Sequence, residues 1–216
     1  MLGQNKISNV ISKGGDSLEI VNIFPTLQGE GPFSGRAAIF IRLGGCNLQC
    51  KFCDTEFDDY IVMTISQIID KILSFTKSYK INMIVITGGE PLRQPIEKLC
   101  HILIAHKFKI QIETNGTINR KLPKEVTIIC SPKMINGKYH ITKELINYVD
   151  YFKFLVEATG EYDTIPRLNF SQPVYIQPID TLNKKLNKKN ITHAIDLVMK
   201  HNYILSLQTH KILQIP

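Results

Sequence analysis

Short apolar runs alternate along this chain with segments of helical periodicity, and this alternation constrains the fold more than any other feature of the sequence. It is typical of an α/β fold built on a parallel sheet. The predicted strands are Leu18–Ile23, Ala37–Arg42, Asn82–Thr87, Lys107–Glu113, Val126–Cys130, Tyr151–Glu157, Val174–Gln177 and Tyr203–Leu207. The predicted helices are Ile65–Phe75, Pro95–His106, Lys143–Tyr148 and His193–His201.

The first helix has the clearest start signal. Thr64 and Gln67 form a T-x-x-Q capping box, in which each residue can satisfy a free backbone N–H at the helix start. Apolar residues then recur at helical spacing, which predicts one buried face made of Ile65, Ile68, Ile69 and Ile72.

Most strands from Ala37 onward end in a polar or glycine-rich turn. These turns contain Gly44–Cys46, Gly88–Pro91, Thr114–Gly116, Ser131–Lys133 and Pro178–Asp180. In β/α barrels the loops after the strands build the active site, so the five turns should meet at one mouth. A closed eight-fold barrel typically needs about 250 residues. The 216 residues of this chain therefore favour one domain, residues 1–216, folded as a partial, open β/α barrel with a reduced helical layer.

Composition and charge exclude several classes of protein. No apolar stretch is long enough to span a membrane, and the first residues lack a signal-peptide pattern, so we expect a cytoplasmic protein. Thiols stay reduced there, which argues against a disulfide framework for the five cysteines.

The formal net charge of +7 leaves a nucleic-acid partner open. However, the densest basic run, Asn183–Asn190, has no interleaved aromatic residue and is typical of a solvated loop or the start of a helix. Direct nucleic-acid binding is therefore not expected, and the charge would also suit an anionic small substrate.

The segment GGCNLQCKFCDT places Cys46, Cys50 and Cys53 in C-x3-C-x2-C spacing. Thiolates are soft ligands that select iron–sulfur clusters, zinc or Cu(I). A structural zinc site is the alternative, but zinc needs four ligands and no second cysteine pair is present. Cys100 fits a buried helix position, whereas Cys130 could be either core or a neighbour of the site. Three ligands for four irons leave one iron open, and S-adenosylmethionine can chelate that iron.

At this point the sequence resembles the radical S-adenosylmethionine superfamily, in which this cysteine spacing, an aromatic residue such as Phe52 and a GGEP turn such as Gly88–Pro91 occur together. We expect the two glycines of this turn to allow close backbone approach to the bound amino group. The resemblance implies a [4Fe-4S] cluster and S-adenosylmethionine as cofactors.

Further motifs resemble the 7-carboxy-7-deazaguanine synthase family. They are Thr26–Gly31 (TLQGEG), Phe40–Thr55, Thr87–Pro91 (TGGEP), Glu113–Thr117 (ETNGT), Ser131–Lys133 (SPK), Gln177–Asp180 (QPID) and the ending LQTHKILQIP. The resemblance implies conversion of 6-carboxy-5,6,7,8-tetrahydropterin to 7-carboxy-7-deazaguanine with loss of ammonia, on the route to queuosine-type nucleosides. It also implies hydrogen abstraction from C6 of the pterin by an adenosyl radical, and reuse of the cofactor.

The resemblance assigns roles residue by residue. Implied substrate contacts are Leu27, Gln28, Gly29, Glu30, Arg42, Thr87 and Pro216. Implied S-adenosylmethionine contacts are Phe52, Cys53, Asp54, Gly89, Ser131, Pro132, Lys133, Gln177, Pro178, Ile179 and Asp180. The hydroxyl of Thr55 is implied as a ligand of Mg²⁺, against the alternative of a simple turn residue.

Chemistry supports two of these substrate contacts on its own. Arg42 offers a bidentate fork for a carboxylate, and the alternative is a surface salt bridge. Glu30 could accept hydrogen bonds from ring N–H groups, and the alternative is a solvated loop carboxylate. His210 is a tempting acid for the proton transfers, but a lone histidine is more often structural, so no proton-handling residue is assigned.

The resemblance further implies that the carboxylate of Pro216 reaches the substrate. Residues appended after Pro216 should then impair turnover and spare cluster assembly. Product formation and iron content, measured with and without a carboxyl-terminal tag, check this expectation, and equal turnover would reject it.

Two other functions remain open on the sequence. A glycyl-radical activating enzyme would share the cluster, fold and length, but should lack the set of Gln28, Arg42 and Pro216. A zinc-binding module that contacts RNA would contain zinc and no iron. For the leading interpretation, the resemblance implies a flavodoxin or ferredoxin as electron donor and a homodimer.

Overall fold

The computed structural model describes Gly3, residues 5–166 and residues 171–216. The strands are β1 (Ser17–Leu27), β2 (Ala37–Leu43), β3 (Ile61–Thr64), β4 (Met83–Gly88), β5 (Lys109–Thr114), β6 (Val126–Cys130), β7 (Lys133–Ile135), β8 (Lys138–His140), β9 (Tyr151–Val156), β10 (Val174–Pro178) and β11 (Ile204–Leu205). The helices are α1 (Ile65–Thr76), α2 (Glu97–Ala105), α3 (Lys143–Ile146), α4 (Lys184–His201) and α5 (Thr209–Leu213).

Nine strands form one sheet in the order β11-β10-β9-β6-β5-β4-β2-β1-β3. From β2 to β11 every neighbouring pair is parallel, whereas β1 runs antiparallel to both β2 and β3. The sheet ends at β11 and β3 and does not close on itself. The prediction of an open α/β barrel is confirmed.

Side-chain alternation along the parallel strands separates a core face from a site face. On the core face, Ile41, Ile86 and Ile112 are fully buried among residues of α1, α2 and α4, including Ile68, Leu99 and Leu197. The next residues along the same strands, Arg42, Thr87 and Glu113, lie on the opposite face and line a cavity. The same pattern that builds the core therefore directs polar side chains into the open barrel.

The capping box of α1 is present as predicted. The Gln67 backbone N–H donates to Thr64 Oγ1 over 3.3 Å, and the Thr64 N–H donates to Gln67 Oε1 over 2.8 Å. All four isoleucines of the predicted face are buried. Within the described ranges the helices are fewer than in a full barrel, because residues 115–125, which connect β5 to β6, contain no helix.

The last long helix was predicted too short. Instead of starting at His193, α4 begins at Lys184, so most of the basic run Asn183–Asn190 is helical. Asn183 caps this start by accepting from the backbone N–H groups of Lys185 and Leu186 over 3.0 and 3.1 Å. The first turns are rich in exposed lysines, so they lack the regular spacing of apolar residues that would have indicated a helix.

Three short features had no sequence signal: strand β3, the β7–β8 hairpin and helix α5. Each is shorter than the window over which periodicity can be read. No helix in the described part of the chain is long and apolar enough to cross a membrane.

Candidate active site

One cavity of about 260 Å³ gathers almost all the predicted site residues. It is lined by the three cysteines of the C-x3-C-x2-C segment, by all seven predicted substrate contacts and by Thr55. Among the predicted S-adenosylmethionine contacts, only Pro132 is not part of the lining. Residues as far apart in the sequence as Phe24 and Pro216 therefore line one cavity.

The cysteine loop follows β2 directly. Cys46 is buried, whereas Cys50 and Cys53 are partly exposed to the cavity. The loop folds back on itself through a 3.1 Å hydrogen bond from the Cys53 N–H to the Cys50 carbonyl. Burial raises the pKa of the Cys46 thiol to about 12 and also raises those of Cys50 and Cys53. Because metals bind thiolates, loading this site must release protons.

The donor set of the loop suits an iron–sulfur cluster, because thiolates are soft ligands and all three cysteines line the cavity. Among the described residues, no three histidine, cysteine, aspartate or glutamate side chains converge closely enough to bind one metal ion. In a cubane cluster each thiolate binds a different iron, so the three thiolates need not meet at a single metal position.

The two glycines of the GGEP turn are required by the cysteine loop itself. A Cβ on Gly89 would lie 1.9 Å from the Gly45 carbonyl oxygen, and one on Gly88 would lie 2.1 Å from that of Leu43. The turn is hydrogen-bonded to the same backbone, since the Gly89 and Glu90 N–H groups donate to Leu43 and Gly45 over 3.1 and 3.0 Å. This contact explains the glycines without reference to a ligand.

Glu90 connects two of the turns at the mouth. Its fully buried carboxylate accepts from the Leu92 N–H over 2.9 Å, from Thr114 Oγ1 over 2.7 Å and from the Asn115 N–H over 2.7 Å. Burial raises the pKa of this carboxyl, although the hydrogen bonds oppose the shift. Glu90 thus fixes the turn after β5 against the turn after β4.

Arg42 is an internal residue of the cavity rather than a member of a surface salt bridge. Its Nη1 donates to Thr55 Oγ1 over 3.1 Å, and its guanidinium lies over the Phe24 ring, 5.9 Å from the centroid. Burial lowers its pKa, and the charges of Asp54, Cys53 and Glu30 oppose this. Among the described residues only Nη1 of this guanidinium forms a hydrogen bond, so its other donors are available at the cavity.

Glu30 belongs to a buried charge network rather than to a solvated loop. Lys153, which is 3% exposed, forms ion pairs with the carboxylates of both Glu30 and Glu113. Gln208 Nε2 donates to Glu30 Oε1 over 2.9 Å, and Gln28 Nε2 donates to Glu113 Oε1 over 3.1 Å. Burial alone would raise the pKa of Glu30, but Lys153 and the hydrogen bond from Gln208 lower it to about 2.

Sequence reasoning assigned no role to Glu113 or Lys153. Glu113 was visible as the first residue of the ETNGT motif. Lys153 was visible as a lone charge within the otherwise apolar β9, YFKFLV. A lysine in the middle of a buried strand predicts an acidic partner, because an unpaired charge there is costly.

At the rim, Lys211 from α5 connects two predicted S-adenosylmethionine contacts. Its Nζ lies 2.5 Å from Asp54 Oδ2 and 2.9 Å from Asp180 Oδ2. On another wall, Lys133 donates to the carbonyl and hydroxyl oxygens of Ser131 over 2.6 and 2.8 Å. Burial lowers the pKa of Lys133.

The carboxyl-terminal segment packs against Gly29. The Thr209 N–H donates to the Gly29 carbonyl over 3.0 Å, and a Cβ on Gly29 would lie 2.3 Å from His210 Nδ1. Thr26 Oγ1 donates to the Pro216 oxygen over 2.9 Å. His210 and Pro216 therefore both line the cavity.

Comparison with known proteins agrees with this geometry. The model of the Radical SAM superfamily matches residues 40–196. The 7-carboxy-7-deazaguanine synthase of Rickettsia prowazekii is 46% identical over all of this chain and 96% of its own length. That of Rhodospirillum rubrum is 33% identical over the full length of both chains. The crystal structure of QueE from Escherichia coli aligns with a TM-score of 0.73 and 26% identity, covering 89% of this chain and 94% of the other.

Proposed function

Because this chain belongs to the radical SAM superfamily and, within it, to the 7-carboxy-7-deazaguanine synthase family, we propose that it converts 6-carboxy-5,6,7,8-tetrahydropterin to 7-carboxy-7-deazaguanine and ammonia. The observation that carries the proposal is the shared cavity, in which a three-cysteine loop faces buried polar groups suited to a pterin. The reaction supplies a precursor for queuosine-type nucleosides.

The cysteines Cys46, Cys50 and Cys53 would hold the [4Fe-4S] cluster, and S-adenosylmethionine would bind beside it. When bound, these two groups supply the adenosyl radical that starts the reaction. The cofactor contacts are Phe52, Cys53, Asp54, Gly89, Ser131, Pro132, Lys133, Gln177, Pro178, Ile179 and Asp180. Lys133 offers an ammonium group to the methionine carboxylate, and Asp180 offers an acceptor to ribose hydroxyls.

The substrate is oriented by groups of opposite character. Arg42 offers a bidentate fork to its carboxylate, while Glu30, which stays ionised because Lys153 stabilises its charge, accepts from ring N–H groups. The amide of Gln28 and the hydroxyl of Thr87 complete the polar lining, together with Leu27, Gly29 and Pro216. This fixed set of donors and acceptors holds the pterin in one orientation during rearrangement.

Magnesium is proposed at the Thr55 hydroxyl. That oxygen already accepts a hydrogen bond from Arg42, and a hydroxyl oxygen has a second lone pair for a cation. The proposal also comprises a single domain, a cytoplasmic homodimer and electron supply by a flavodoxin or ferredoxin.

The test is anaerobic reconstitution with iron and sulfide, followed by incubation with S-adenosylmethionine, reductant and the carboxy-tetrahydropterin. Mass spectrometry should find 7-carboxy-7-deazaguanine and stoichiometric ammonia. Replacement of Cys50 by alanine should abolish both products, whereas Cys100→Ala, a change at a buried cysteine outside the cavity, should retain the cluster. A reconstituted parent protein that consumes no pterin would refute the proposal.

A further inference from the structure

The segment before β1 lies across the cysteine loop. We call Gly3 and residues 5–11 the N-terminal strap. Its Gly3 N–H donates to the Cys53 carbonyl over 3.0 Å, and its Ser8 N–H donates to the Cys46 carbonyl over 2.7 Å. Ile7 and Cys46 also pair as a short parallel bridge. The strap therefore binds the backbone of the first and last cysteines of the loop.

The side chain of Asn5 joins the strap to the end of the loop. Asn5 is 8% exposed. Its Nδ2 donates to the Thr55 carbonyl over 2.8 Å, and its Oδ1 accepts from the Phe57 N–H over 3.1 Å. Its backbone carbonyl accepts from Gln49 Nε2 over 2.9 Å. One residue thus contacts the loop at three separate points.

The other end of the strap is fixed by Arg93, which follows the GGEP turn and is 3% exposed. Arg93 Nη1 donates to the Asn9 carbonyl over 2.8 Å, and its own carbonyl accepts from the Ile11 N–H over 2.8 Å. Nη2 of the same guanidinium donates to the Gly44 carbonyl over 3.0 Å and pairs with Glu19. Arg93 therefore holds both the strap and the entrance of the cysteine loop.

We propose that the N-terminal strap, through Asn5 as a positioning residue, holds the cysteine loop in the conformation that assembles and retains the cluster. The loop itself has little regular structure, so its shape depends on its neighbours. The GGEP turn supports it from one direction, through the bond from the Glu90 N–H to Gly45, and the strap supplies the second support. The inference depends on the proposed function only in placing a cluster on this loop.

The first test measures hydrogen exchange in the cluster-free protein. Asn5→Ala removes the acceptor of the Phe57 N–H, and we expect that amide to exchange about tenfold faster because two buried hydrogen bonds are lost. Asn9→Ala is the matched control, since Asn9 is exposed and its side chain makes no hydrogen bond in the described part of the chain.

The second test measures iron release to a chelator after anaerobic reconstitution. We expect Asn5→Ala to lose iron about tenfold faster than Asn9→Ala, in line with a larger open population. The electron paramagnetic resonance spectrum of the reduced cluster should broaden only in Asn5→Ala. Equal exchange and equal iron release in Asn5→Ala and Asn9→Ala would overturn the proposal.

Two further outcomes are distinguishable. If the parent protein binds no cluster under any condition, the proposed function fails, while hydrogen exchange still decides the role of the strap. If Asn5→Ala does not fold, Gly3→Ala replaces it in both measurements. Its added Cβ would lie 2.8 Å from the Lys51 carbonyl oxygen, so it displaces the strap and leaves the Asn5 side chain intact.

Discussion

At the scale of single residues, the cavity depends on charges that compensate one another away from water. Lys153 has two carboxylate partners, Glu30 and Glu113, and all three side chains are largely buried. The two carboxylates raise the pKa of Lys153 although burial opposes this. The network is stable as a unit, and loss of its cation would leave uncompensated negative charge.

Replacement of Lys153 by methionine should destabilise the fold by about 3–5 kcal/mol, because it removes one partner of a buried ion pair. Urea unfolding measures the change. Lys200→Met is the control, since Lys200 pairs with Asp196 on the exposed face of α4 and should have an effect below about 1 kcal/mol.

The same pair of variants tests the pH dependence. The pKa of Glu30 is lowered from 4.5 to about 2 in the folded protein, so its contribution is complete above pH 4.5 and disappears as the pH falls towards 2. In Lys153→Met the buried carboxylate of Glu30 lacks its cation and should have a raised pKa, so that its protonation stabilises the fold. If the free energy of unfolding of Lys153→Met fell at acidic pH in the same way as that of the parent protein, this account would be contradicted.

Gly89→Ala should prevent cluster assembly and destabilise the protein by about 1–3 kcal/mol or more, because its Cβ would overlap the Gly45 carbonyl. Gly35→Ala is the control that distinguishes steric overlap from backbone strain. Gly35 has a φ of +86°, which strains an alanine, but no atom lies close to the position of its Cβ. Iron content per chain and urea midpoints compare the two. If Gly35→Ala lowered the iron content and the urea midpoint more than Gly89→Ala, steric overlap would not explain why a glycine is needed at position 89.

At the scale of elements, a helix or strand could be predicted from the sequence only where a local capping or periodicity pattern indicated it. The start and buried face of α1 follow from one capping box and four isoleucines, and both are confirmed. The start of α4 was missed because Asn183 caps a helix whose first turns are lysine-rich and mostly exposed. The pairing of Glu30 with Lys153 joins residues far apart in the sequence, and no local pattern contains that information.

Thr64→Ala should destabilise α1, and with it the protein, by about 1 kcal/mol through loss of the cap. Ser66→Ala, at an exposed position of the first turn without a side-chain hydrogen bond in the described structure, is the control and should change little. Thermal and urea unfolding of both variants provide the comparison. Similar losses from both substitutions would show that the capping box contributes nothing.

At the scale of the whole molecule, the open barrel is completed by contacts between distant parts of the chain. Lys211 in α5 bridges Asp54, next to the last cysteine, and Asp180, after β10. The strands that position these two carboxylates, β2 and β10, lie well apart in the sheet. The bridge therefore joins the segments that follow β2 and β10 at the cavity.

Lys211→Met should weaken S-adenosylmethionine binding several-fold, because Asp54 and Asp180 would repel each other and lose their relative placement. Stability should fall by less than about 1 kcal/mol, since Lys211 is partly exposed. Equilibrium binding to the reconstituted protein, with Lys200→Met as control, measures this. Unchanged affinity would rule out a role for the bridge.

The close fit between Gly88–Gly89 and the backbone of Leu43–Gly45 has a consequence for protein engineering. A cysteine segment transplanted alone into another β/α scaffold would lack the glycine turn against which its backbone packs. A successful graft must carry both turns, on adjacent parallel strands in the register that aligns Leu43 with Gly88. The smallest portable module for such a centre is thus a pair of strands with their two turns, rather than a peptide of three thiols.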